Sequence, residues 1–177
     1  MAGQPRAFLV ATVLALLAAC LMPKPSHAVS GWRDEAAGLV HFSGLRCPNR
    51  IASLTRTDTT SAFGDMLASC TYQSADIHAV IGIMEPNAVV RALHTLEQNY
   101  LSSGFPLVQG EAASSIGLTF AVGRIGSREL LETMWPIRVG GNDHILWVSH
   151  RHEVDRQEVD TLYDAVVQML RAAQATR

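Results

Sequence analysis

The stretch Met66–Met84 constrains the fold more than any other part of this chain. Two runs, MLASCTYQ (66–73) and IHAVIGIM (77–84), flank Ser74-Ala75-Asp76. β-rich runs separated by a short polar break predict a hairpin. In the second run Ile77, Ala79, Ile81 and Ile83 share one face, and His78, Val80, Gly82 and Met84 share the other. Apolar residues on both faces predict a central strand, with neighbours on both edges and cover on both faces.

The rest of the chain must supply those neighbours. Residues 31–38 (GWRDEAAG) read as a polar lead-in with one helical turn. Leu39–Phe42 reads as a short strand, Ser43–Arg50 as a loop holding Cys47, and Ile51–Thr57 as a strand. Asn87 is the expected N-cap of a helix whose stripe is Val89, Val90, Leu93, Leu96, Tyr100 and Leu101, closed by Gly104. Leu118–Val122, Arg128–Val139 and His144–Arg151 predict a three-stranded meander, with a turn at Gly140-Gly141. A last helix spans about 155–173, with Asp155 and Glu158 placed as in a capping box. Its buried stripe is Val159, Leu162, Val166, Met169, Leu170 and Ala173.

The order strands, helix, strands, helix predicts an α+β domain. Its expected form is a mainly antiparallel sheet of about five to seven strands, covered by two helices, one long and C-terminal. The order is topologically similar to α+β sandwiches of the photosystem-II P-protein type. That likeness rests on no motif and carries no function.

The N-terminus gives an address. Arg6 precedes the uncharged apolar run Ala7–Met22, and Pro23 to Ala28 breaks it, with Ser26 and Ala28 at the −3 and −1 positions. This predicts a secretory signal over residues 1–28, cleaved after Ala28. The run is short for a membrane span, which needs about 20 residues. Leu17-Ala18-Ala19-Cys20 also resembles a bacterial lipobox, which implies an alternative signal over 1–19 and a lipidated Cys20. Either way, residues 29–177 form one exported domain, periplasmic or secreted, and membrane-anchored if Cys20 carries lipid. Cys47 and Cys70 are then an even pair in an oxidising compartment and predict a disulfide.

Composition excludes several chemistries. Residues 29–177 hold 12 arginines, no lysine and 16 acidic residues, a net of −4 with His neutral. Without lysine there is no Schiff-base lysine, no Walker-type phosphate loop and no Ser-x-x-Lys acyl-transfer site. The arginines are scattered, so no nucleic-acid partner is expected.

Few residues suggest a site. His150 and His152, two apart, share a strand face and are the metal candidates, with Glu153 as a further ligand if the chain turns there. His144 shares that face but lies about 20 Å from His150 at strand rise, too far for one ion. Glu129 and Glu132 fall on opposite faces of their strand, and Asp160 and Asp164 on the solvated side of the last helix. No G-x-S-x-G elbow occurs. Trp135 and Trp147 sit in neighbouring strands and are placed to stack across the ladder, as core or as an aromatic patch. The expectation is a non-catalytic envelope domain, without catalytic residues, metal or cofactor, that binds a protein or small ligand. The alternatives are a lipid-anchored envelope accessory, or a metal-binding or hydrolytic enzyme using His150 and His152.

Overall fold

The computed structural model describes residues 31–108, 117–125, 128–151, 154 and 156–175. Ten strands and two helices follow one another along them. The strands are β1 (Trp32–Glu35), β2 (Gly38–His41), β3 (Arg46–Pro48), β4 (Arg50–Ile51), β5 (Leu54–Phe63), β6 (Met66–Gln73) and β7 (Ile77–Met84). Helix α1 (Ala88–Ser102) comes next, then β8 (Leu118–Ile125), β9 (Arg128–Val139), β10 (Asn142–Arg151) and helix α2 (Arg156–Ala175). The expected α+β architecture holds. A seven-stranded sheet has the order β4-β5-β6-β7-β10-β9-β8, and a small sheet has the order β1-β2-β3. Each paired neighbour is antiparallel.

β7 is the central strand its apolar faces demanded. It pairs with β6 on one edge and with β10 on the other, so the two strand groups merge into one sheet. The two helices cover opposite faces. On one face Ile77, Ala79, Ile81, Ile83, Trp135, Ile137, Leu146 and Val148 pack with Val159, Leu162, Val166 and Leu170 of α2. On the other, Met84, Met134, Ile145 and Trp147 pack with Ala88, Val89, Leu93 and Leu96 of α1. The β9–β10 turn is Gly140-Gly141, with both φ values positive (56° and 83°), as a two-residue hairpin turn requires. Pro136 falls where β9 has run past the end of β8 and pairs with β10 alone, so its missing N–H breaks no ladder.

Several expectations are corrected. Residues 32–35 are strand β1, not a helical turn: Trp32 buries against the core while Arg33 and Asp34 face out. The supposed loop 43–50 contains strand β3 and the start of β4. The strand expected over 51–57 is instead the short β4 and the ten-residue β5, reversed at Ala52-Ser53. Asn87 does not cap α1 with its side chain. It adopts φ 63°, which Asn tolerates better than most residues. Its N–H donates to Asp143 Oδ2 at 2.7 Å, and Arg138 bonds both Asp143 Oδ1 (2.8 Å) and Asn87 Oδ1 (3.2 Å). The start of α1 is thus tied to the turn end of the β9–β10 hairpin. At its other end Phe105 N–H reaches Tyr100 O and Gly104 N–H reaches Leu101 O, with Tyr100 and Phe105 rings 5.6 Å apart. That is a Schellman closure around Gly104.

Asp155 lies outside the described residues. Glu158, its expected partner, accepts a hydrogen bond from Ser53 Oγ at 2.8 Å and so pins α2 to the β4–β5 turn. Trp135 and Trp147 do not stack. Trp135 pairs with Leu146 and Trp147 with Met134, a one-residue offset that puts the two indoles on opposite faces. Trp135 is fully buried beside Tyr163 of α2, their rings 5.7 Å apart.

Cys47 of β3 and Cys70 of β6 form the expected disulfide, and both are fully buried. It fastens the small sheet onto the α2 face of the large one. The sequence separation is 23, so reduction frees a loop whose closure is worth about 3 kcal/mol in chain entropy. The Cys47→Ala/Cys70→Ala variant is expected to lose about that much in urea unfolding. An unchanged midpoint would show that the bridge does not hold the sheets together.

Candidate functional site

The small sheet has two unlike faces. Trp32 and Cys47 turn into the α2-side core, and Leu39 packs against it. Register puts Arg33, Val40 and Arg46 in one row of the opposite face, and Glu35, Gly38 and Pro48 in the next. Towards its end α2 carries Met169, Ala172 and Ala173. Short side chains there leave a cleft of about 250 Å³, lined by Gly38, Leu39, Val40, Pro48, Met169 and the two alanines, with Glu35 and Arg46 among its walls. The Glu35 carboxylate takes Arg33 at 3.1 Å and Arg46 at 3.2 Å on separate oxygens. Two guanidiniums share one carboxylate, which leaves this triad one positive charge in excess. An apolar wall ending in a charged group is the usual form of a small-ligand site.

A second polar group lies on the α1 side of the large sheet. Register aligns His78, Ser149 and Glu132 across β7, β10 and β9. Glu132 is the hub. It accepts from Tyr100 Oη, from Trp147 Nε1 at 3.2 Å and from Ser149 Oγ at 3.2 Å. Three donors occupy the carboxylate and fix it as an anchor. It ties the last turn of α1 to the sheet. Ser149 donates its hydroxyl proton to Glu132 Oε1.

His150 is buried on the α2 face of β10, with Nδ1 2.9 Å from the Arg151 carbonyl. His152, the other metal candidate, and Glu153 lie outside the described residues. His144 is buried on the same face as His150, opposite Ile83, while His150 is opposite Ile77. The structure therefore keeps these two apart. Among the described residues no three His, Cys, Asp or Glu side chains gather as metal ligands. His41 stacks between Trp32 (4.9 Å) and Phe42 (4.2 Å), and burial pushes its pKa down.

Sequence reasoning found neither group. The cleft residues come from three short strands with no period long enough to read. The polar row needs the β7–β10–β9 register, which no local pattern contains. No family model, curated protein or solved structure matches this chain.

Two tyrosines give the fold an alkaline limit. Burial raises the pKa of Tyr72 despite nearby Arg56, and burial raises that of Tyr100, helped by its hydrogen bond to Glu132. The unfolded chain loses these protons from about pH 10, while the folded chain keeps them. Their contribution is complete below about pH 10 and falls as pH rises above it. The thermal midpoint is expected to drop above pH 10, and to drop less steeply in Tyr72→Phe/Tyr100→Phe. Equal slopes in the two proteins would contradict this.

Proposed function

We propose that this chain is an exported, non-catalytic binding domain of a cell envelope. Its ligand is a small amphipathic anion, with the tail in the cleft and the head at Arg46. The observation that carries this reading is the apolar cleft that ends in the Arg33–Glu35–Arg46 triad. Arg46 spends one donor on Glu35 and retains others of its fork for a carboxylate or phosphate. Ala172 and Ala173 keep the cleft open by being small, and Gly38 lets β2 approach the β3 backbone at Cys47 and Pro48.

The export part rests on different support. A signal-like segment precedes the domain, and a buried disulfide suits an oxidising compartment. Cleavage after Ala28 gives a free protein, and lipidation of Cys20 a tethered one. Hydrolysis at His150 and His152 is the weaker reading, because His150 is buried with Nδ1 directed at a backbone carbonyl.

Calorimetric titration tests the site. Octanoate is expected to bind with a Kd of about 1 mM or below, and octylammonium at least about tenfold more weakly. Ala172→Trp, at an exposed helix position, should fill the cleft and abolish octanoate binding while leaving the melting temperature near its original value. Octanoate binding that survives Ala172→Trp, or equal affinity for the two head groups, would overturn the assignment.

A further inference from the structure

Exposed aromatic side chains of the described residues concentrate at one end of the large sheet. Phe42 is 83% exposed and Phe63 is 80% exposed. Phe63 pairs with Met66, which pairs with Met84. Phe42 is followed by the turn residue Gly44, which lies against Ile83, Asn142, His144 and Leu170. Both phenylalanines thus crown the end where β7 finishes and β10 begins. Val90, 70% exposed, belongs to the same end: its neighbour Arg91 bonds Asp65 in the β5–β6 turn at 2.8 Å. Large apolar side chains at such exposure mark a contact surface when they cluster.

The chain itself indicates what covers them. Gly31 O accepts from Phe42 N–H at 3.0 Å, so the polypeptide enters the domain beside Phe42. The apolar run Ala7–Met22 precedes it by residues 23–30 only. Eight residues span at most about 29 Å when fully extended. In the tethered form, where lipidation of Cys20 replaces cleavage after Ala28, the bilayer that holds the N-terminal segment therefore stays close to this end of the sheet. Two ion pairs lie here, Asp65 with Arg91 and Asp143 with Arg138 at 2.8 Å, and the exposed Glu85 adds a carboxylate, so the end carries no basic excess. The attraction is apolar insertion, not a basic patch seeking anionic lipid.

We infer that the Phe42–Phe63 end of the domain docks on the surface of the membrane that holds the N-terminal segment, with both rings inserted among the lipids. This does not depend on the occupant of the cleft. The cleft borders the same end, since Ala173 lines it and also lies against Gly44 and His144. A ligand drawn from the bilayer would have a short path to it.

The test uses the full chain reconstituted in phosphatidylcholine vesicles with brominated acyl chains, which quench nearby indoles. Single variants Phe42→Trp, Phe63→Trp and Ala75→Trp are compared with the original protein, whose own tryptophans supply the baseline. Ala75 is exposed in the β6–β7 turn, at the opposite end of the sheet. The added emission of Phe42→Trp and Phe63→Trp is expected to fall at least twofold relative to unbrominated vesicles, and that of Ala75→Trp to stay unchanged. Equal quenching in all three, or none at the two phenylalanine positions, would overturn the docking assignment. Octanoate titration of these variants reads the cleft separately, so the two proposals fail independently.

Discussion

The seven-residue ladder between β7 and β10 is the constraint on which everything else depends. It joins a hairpin group before α1 to a meander after it, and so makes one sheet of two. Its register also decides which side chains meet which helix. Ile77, Ala79, Ile81 and Ile83 face α2 together with Leu146 and Val148, while Met84, Ile145 and Trp147 face α1. A slip of one residue would send His144 and His150 to the α1 side and Ile145 and Trp147 to the α2 side. Burial on both faces is what forbids that slip.

The cleft follows from where this packing stops. The large sheet and α2 close their core with Val159, Leu162, Val166 and Leu170. The small sheet lies beside that core, held through Trp32, Leu45 and the Cys47–Cys70 bridge. Its outward face then meets the alanine-bearing end of α2 and leaves space between them. A disulfide can hold such an imperfectly packed layer because it acts on the unfolded chain and needs no dense contact. In the amphipathic-anion reading, stability is thus supplied at the bridge and specificity at the triad.

Long periodic segments were legible from the sequence, and short or register-dependent features were not. The strands 66–73 and 77–84 lie where their alternation put them, and the stripe of α2 is buried at Val159, Leu162, Val166 and Leu170. β1, β3 and β4 are two to four residues long, too short to show a period, and two of them read as lead-in and loop. The Trp135–Trp147 pairing was one residue out, which reversed its meaning. Asn87 was assigned its common role at a helix start, whereas tertiary bonds to Asp143 and Arg138 determine its conformation. Glu132 carried no local signal, since its partners Tyr100, Trp147 and Ser149 come from α1 and β10.

In the proposed function, the domain binds through the cleft and not through the polar row on the α1 side. Backbone amide shifts in a nitrogen-proton NMR spectrum, recorded during octanoate addition, test it most directly. Saturable shifts are expected at residues 35–48 and 169–173 alone, with His78, Glu132 and Ser149 unmoved. Shifts centred on His78, Glu132 and Ser149, with the cleft silent, would contradict it.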